Sequence, residues 1–351
     1  MKAKPTRASI LLEPLMPVVR PAVFEGPKIV IEKRYIGNEL KDAVLLDSIA
    51  SMANRMEEAL HAQRDRLGFN DIAVDFGNGE RYSQWRLPHR VYDAAVRDSM
   101  HNGKFFFETD LGKQLARGEP QSLFQWAPNV LLFGGWNSHA QSGIGARFAA
   151  RVERAVVAEV VGLDPKTASR PGSRRDPLGV PGDAALPEGM RERAEQIGKE
   201  SKKLSDLGYG NIPPTLQELD VSISEARLHF LVTPLPWIQR RLPQEAQEVL
   251  LLLALLGLTL LVGDGYLHLR SGTTFRVKGP VRLEVPGEEG MELPEPDQLV
   301  SRMGEALGKL PEGWRWKGEE LVLEPSPALR ELVEGQEELR REARRGRGGK
   351  A

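Results

Sequence analysis

Over residues 8–47 the apolar positions come in short runs broken by proline and glycine: ASILLEPLMPVV, KIVIEKRYI and AVLLDS. Their β-branched content and turn punctuation predict strands. From Ser48 the period lengthens. In SIASMANRMEEALHAQRDRL, Ile49, Met52, Met56, Leu60 and Leu67 recur at three-, four- and seven-residue spacings, which predicts an amphipathic helix. A second helix is predicted over HRVYDAAVRDSM, after Pro88, and a strand over 129–133. The stretch LLFGGWNSHAQSGIGARFAARVERAVVAEV (Leu131–Val160) then opens into a glycine-rich loop and a predicted helix. Residues 164–189 hold five prolines, four glycines and four basic residues, a mixture that predicts a protruding loop or a disordered insertion. A polar helix at about 190–204 and the strand-like DVSISEARLHFLVT follow, then an apolar helix and a strand pair in YLHLRSGTTFRVKGPVRLEV. Irregular alternation of short strands with helices and large insertions favours an α+β fold over a doubly wound parallel sheet.

Composition narrows the chemistry. Forty-eight basic residues face forty-nine acidic ones, so a polyanionic partner must be held by a local groove. The absence of cysteine excludes a disulfide scaffold and thiolate metal sites and fits a reducing cytoplasm. Six scattered histidines lack His-Glu-x-x-His spacing, so neither a metal nor a cofactor is expected. No signal peptide is evident, and VLLLLALLGLTLLV (249–262) falls short of the ~20 residues a spanning helix needs. It reads as a buried core helix in a soluble chain. Residues 284–297 are acidic and the tail RREARRGRGGKA is basic.

The glycine loop fails both nucleotide tests. A phosphate-binding Walker loop needs Gly-Lys-Ser/Thr at the helix mouth, whereas this mouth reads GIGARF. A dinucleotide loop needs a small third residue, and Phe148 stands there. What remains is generic anion chemistry. Gly134, Gly135, Gly143 and Gly145 would let backbone amides approach phosphate, and arginines supply planar forks. On the predicted helix Arg147, Arg151 and Arg154 fall at i, i+4 and i+7 and share a face, with Trp136 offering a stacking surface. The alternative is a solvated arginine face neutralised by Glu153 and Glu159. A partner that passes many amides without being chemically altered is a nucleic acid.

Three blocks, VLLDSIASMANRMEEAL, LPHRVYDAAVRDS and LLFGGWNSHAQSGIGARFAARV, resemble the signature segments of a CRISPR-associated family. It is the Cas-seven-type backbone subunit of the type I-G (formerly I-U) Cascade surveillance complex, within the RAMP superfamily. ILLEPLMPVVRPAVFEGP, LGYGNIPP, VSISEARLHF and LRSGTTFRV stand in the expected order, so the resemblance spans roughly residues 8–280. It implies a modified RRM-like (ferredoxin-like) palm over 1–163 and 205–330 with inserted helices. Residues 164–204 would form a projecting thumb or finger and 331–351 a basic tail. It further implies copies of the chain stacked in a helical filament along CRISPR RNA, gripping the sugar-phosphate backbone while the guide bases pair with target DNA. A large subunit and a repeat-processing subunit would complete the complex.

The expected RNA contacts are Asn54, Arg55, His89, Arg90, Gly134, Gly135, Trp136, Asn137, Ser138, Gly143, Gly145, Arg147, Arg151, Arg270 and Lys278. Arg170, Arg174 and Arg175, on the insertion, would reach a neighbouring subunit or displaced DNA. Structural alternatives stand beside these: Arg55 pairing with Glu57 or Glu58, Arg90 pairing with Asp93, and Trp136 buried in the core. No catalytic residue is expected. The rival reading is a RAMP-type metal-dependent endoribonuclease using Asp75 or Asp110, and the sequence supplies neither an activated base nor a paired carboxylate cluster for it.

Overall fold

The computed structural model describes residues 4–22, 28–77, 79, 81–137, 151–196 and 202–336. Its largest sheet uses seven strands: β1 (Thr6–Pro14), β2 (Ile31–Ile36), β3 (Glu39–Asp47), β4 (Val156–Leu163), β5 (Glu225–Val232), β6 (Tyr266–Arg270) and β7 (Thr273–Val277). They lie in the order β6-β7-β1-β5-β4-β3-β2, and every neighbouring pair is antiparallel. Alternation along β1 buries Thr6, Ala8, Ile10 and Leu12 and turns Arg7, Ser9 and Leu11 outward. This is the pattern of a sheet with one face on a core.

Helix α1 (Ile49–His61) starts at Ser48, whose hydroxyl accepts from the Ser51 N–H at 3.2 Å. Such a cap stabilises a helix by about 1 kcal/mol. Its fully buried Met52, Met56 and Leu60 meet the long helix α2 (Gln244–Val262), which also packs against α3 (Pro296–Gly308). Gly257 permits the close approach: a Cβ there would stand 2.9 Å from the Met56 methyl carbon. By length and composition α2 could cross a membrane, but within the fold it is the central core helix, with buried residues from Ala246 to Val262.

A second, five-stranded sheet lies behind the helices. Strand Glu320–Pro325 runs parallel to Asp71–Asp75 and antiparallel to Ser99–His101, so the end of the described chain is woven into its middle. Stacked Phe69–Trp85 and Phe124–Trp316 pairs, with centroids 4.6 and 5.3 Å apart, fill its packing layer.

Several local expectations are corrected. Residues 129–133 form part of a helix, Pro128–Phe133, not a strand. A short, fully buried apolar run fits either state, and Pro128 at the first turn decides for helix. The helix expected after the glycine loop is absent from 151 onward: Arg151–Val152 and Val156–Leu163 are strands, so Arg151 and Arg154 share no helix face. β-Branched VVAEVV pairs with β5 instead. The helix expected over 89–100 breaks into a 3₁₀ turn (Arg90–Tyr92), one short helix (Ala94–Arg97) and a strand (Ser99–His101). Asp93 causes the break, because its carboxylate accepts from the Ala95 and His89 N–H groups.

The proline-rich insertion begins as a ribbon rather than a loop. Lys166–Arg174 continues from β4 and pairs antiparallel with Ile212–Ser222, which returns into β5. Two strands of a solvated ribbon need no core, and register shifts at Ala168/Arg170 and Gly172/Arg174 absorb the residues that break the ladder. Between its strands the polar helix is described over Glu188–Gln196, and Leu204–Leu207 is a 3₁₀ turn. Helix Pro327–Glu334 runs across the expected start of the tail at 331; residues 337–351 lie outside the described residues.

Candidate nucleic-acid interface

The glycine stretch leaves the body as a two-residue ladder: Gly135 pairs with Val152 and Trp136 with Arg151. Trp136 is 64% exposed and Arg151 is exposed beside it, whereas Asn137 is buried. An indole face next to a guanidinium offers stacking and a charged donor within one step of chain. Ser138, Gly143, Gly145 and Arg147 lie outside the described residues.

Gly134 and Gly135 are needed for a reason other than phosphate approach. Gly134 has φ +83, and a Cβ on it would stand 3.2 Å from the Val152 carbonyl oxygen. On Gly135 a Cβ would reach 2.9 Å from the Tyr92 ring. Both let the start of the stretch lie flat on the protein itself. Tyr92 is fixed in turn by donating to the Leu115 carbonyl at 3.1 Å, and burial holds its phenol protonated, well above the ordinary range.

Beneath the ladder lies a buried polar cluster. Arg90 grips Glu57 with two parallel bonds, Nε to Oε1 at 2.6 Å and Nη2 to Oε2 at 2.8 Å. Its remaining Nη1 donates to the Gly134 carbonyl at 3.0 Å. Asn129 donates to Glu57 Oε1 at 2.9 Å, and Gln84 donates to Asn129 at 3.1 Å. Burial pushes the Glu57 carboxyl above the usual carboxylate range, against the pull of Arg90 and Asn129. Arg154 donates to the Phe133 carbonyl at 3.2 Å; burial, then the nearby Arg90 charge, lowers its pKa. From the other side Arg240 donates to the carbonyls of Arg151 at 2.7 Å and Gly118 at 3.0 Å. Trp237 and the Ala155 N–H take the carbonyls of Leu131 and Leu132.

Three blocks far apart in sequence therefore meet at Arg90: helix α1, the His89–Arg90 turn and Gly134. Within them the side chains divide. Arg90 is turned inward to Glu57, not to Asp93, while His89 and Asn54 are exposed. Arg55 pairs with neither Glu57 nor Glu58. On the opposite side of α1 its Nε donates to Asp47 Oδ2 at 2.7 Å and its Nη2 to the Leu269 carbonyl at 2.5 Å. Arg270 joins the same cluster, donating to Asp47 Oδ1 at 2.9 Å and to the carbonyls of Arg20 and Leu46, both at 2.8 Å. Burial lowers its pKa. Lys278 stands apart, 3.5 Å from Glu13 on the rim of the sheet. Arg170 and Arg174 lie on the ribbon's first strand and Arg175 directly follows it; Arg174 and Arg175 are exposed.

The sequence reading missed Glu57, Gln84, Asn129 and Arg240. Only Glu57 left a trace, as an acidic residue directly after the core position Met56.

Asp75 accepts from the Gly77 N–H at 2.8 Å and from Arg81 at 3.2 Å; the Gly77 bond, then Arg81, holds its carboxyl below the ordinary range. Asp110 sits exposed in the first turn of helix Asp110–Ala116. Among the described residues no three His, Cys, Asp or Glu side chains gather as a metal site.

Residues 12–167 match the family model described as CRISPR-associated protein GSU0053. Among solved structures, the crystal structure of Thermofilum pendens Csc2 is similar at 10% identity and a TM-score of 0.35, over 88% of this chain and 77% of that one. A structure of a CRISPR RNA-guided surveillance complex, pre-nicking, is similar at 11% identity and a TM-score of 0.34, over 94% of this chain and 98% of the other. Both likenesses are distant. No curated protein matches the chain.

Proposed function

We propose, from the match of residues 12–167 to the model of the CRISPR-associated GSU0053 family, that this protein is a guide-RNA-binding backbone subunit of a type I-G surveillance complex. The observation that carries the proposal is the Trp136–Arg151 step, an exposed indole and guanidinium on a preset ladder. Stacking is tolerant of base identity, and a guanidinium meets phosphate whatever the sequence, so the contact suits a strand gripped irrespective of its letters. Pairing of the guide with target DNA would then supply the specificity.

The RRM-like part of this reading is supported by strand order. Taking β1, α1, β4, β5, α2 and β7 in succession gives a β-α-β-β-α-β unit whose strands lie in the order β7-β1-β5-β4. Strands β2, β3 and β6 are additions at its two edges. The ribbon Lys166–Ser222 projects between β4 and β5, and with Arg174 and Arg175 it fits the role of a thumb toward a neighbouring copy or displaced DNA. In this reading the chain is cytoplasmic, stacks with copies of itself along the guide, meets the large and repeat-processing subunits, and binds without cutting.

Filter binding of the purified chain to guide RNAs of unrelated spacer sequence tests the proposal. Replacing both Trp136 and Arg151 by alanine is expected to weaken every guide about equally, by roughly 2–4 kcal/mol from a lost stack and a lost phosphate contact. The slope of log K against log salt should also shrink by about one. Unchanged affinity and slope would remove this step from the interface. Cleavage of complementary RNA in Mg²⁺ would instead favour the endoribonuclease.

A further inference from the structure

We propose that the buried Glu57–Arg90 pair is a positioning latch: Arg90 holds the Gly134 carbonyl while Arg240 holds that of Arg151, which sets Trp136 and Arg151 side by side before RNA arrives. Glu57 is 2% exposed, and both oxygens of its carboxylate receive Arg90. A buried ion pair is weak evidence for stability, because apolar side chains of similar volume often serve as well. What an apolar pair lacks is direction. A fork fixed at two nitrogens leaves the third pointing one way, and here it points at Gly134.

The backbone argues similarly. Arg90 has φ +56, a left-handed conformation that is strained for a residue with a side chain. The chain keeps arginine there where glycine would be relaxed, and the side chain's three bonds are what glycine would forfeit. Arg240 acts on the opposite strand of the ladder through the Arg151 carbonyl, leaving the Arg151 guanidinium outside the latch.

This inference rests on reading Trp136 and Arg151 as guide contacts, so its test needs a measurement without RNA. The full chain is labelled with 5-fluorotryptophan, and the Trp136 line in the ¹⁹F spectrum is assigned by its loss in Trp136→Phe. Glu57→Gln is expected to shift or broaden that line while those of Trp314 and Trp316 stay in place. Guide affinity should fall about tenfold in Glu57→Gln, yet show almost no further fall when Glu57→Gln is added to Trp136→Ala/Arg151→Ala. A general loss of stability would add in full instead. An unmoved Trp136 line, or fully additive affinity losses, overturns the latch. If Glu57→Gln fails to fold, Arg90→Lys carries the same test, since it keeps the charge and loses the fork. A moved Trp136 line together with normal guide binding by Trp136→Ala/Arg151→Ala leaves the latch standing and overturns the guide-contact reading.

Discussion

Helix α1 carries an arginine-holding cluster on each side, and the two hold different things. The Asp47 cluster binds Arg55 and Arg270, which together take the carbonyls of Arg20, Leu46 and Leu269. These acceptors belong to the sheet and its connections, so the cluster ties the body to itself. The Glu57 cluster binds Arg90 and lies beside Arg154, and these take the carbonyls of Phe133 and Gly134, where the glycine stretch departs. Both join a buried carboxylate to arginine. The carbonyl at which each network ends is what separates a brace from a support for the proposed interface.

The largest expected effect breaks the brace. Asp47 is 1% exposed, and alanine there would leave two arginines in a half-buried setting without their shared carboxylate. Removing one partner of such a cluster costs about 3–5 kcal/mol. Urea denaturation should show that loss in Asp47→Ala, while guide affinity measured on the folded fraction stays near that of the parent. A selective fall in guide affinity with unchanged urea midpoint would make the Asp47 cluster part of the interface and erase the contrast with Glu57.

Legibility followed the range of the interactions. The early strands and α1 could be read because alternation and helical spacing express burial on one face, and Met52, Met56 and Leu60 are indeed fully buried. The core placement of α2 could be read from uniform apolarity. The state of 129–133 could not: VLLF is buried on every side and carries no period. Nor could the fates of Arg55, Arg90 and Arg270, since Asp47 and Glu57 become their partners only through tertiary contacts. The sequence pattern assigned Gly134 and Gly135 to a ligand, whereas Val152 and Tyr92 already require both glycines.

A middle-sized test uses those glycines. Alanine at Gly135 forces its methyl group into the Tyr92 ring, an overpacking that typically costs about 1–3 kcal/mol. Gly172, on the ribbon, has open space around the same position. Gly135→Ala should therefore lower both the thermal midpoint and guide affinity, while Gly172→Ala leaves the midpoint nearly unchanged. Equal behaviour of the two variants would show that the ladder's seat on Tyr92 is slack.

The smallest expected effect comes from a third region, the outer face of the large sheet, where charge is neither deeply buried nor turned toward the ladder. His229 on β5 stands opposite Glu159 on β4, and Glu159 also receives Arg34 at 2.7 Å. Burial lowers the His229 pKa, with Glu159 pulling upward and Arg227 and Arg34 downward. An unfolded histidine titrates near ~6.5, so the folded chain resists protonation that the unfolded chain accepts. The contribution is complete above that value and is lost as pH falls from it through the lowered folded value. Thermal midpoints between pH 7.5 and 5 should thus fall slightly more steeply in the parent than in His229→Gln. Guide binding over the same range should follow the parent in both, because His229 lies on the sheet face and not at the Trp136–Arg151 step. Matching midpoint slopes would show that Glu159 offsets the burial of His229 fully, and a changed binding profile would extend the interface onto the sheet.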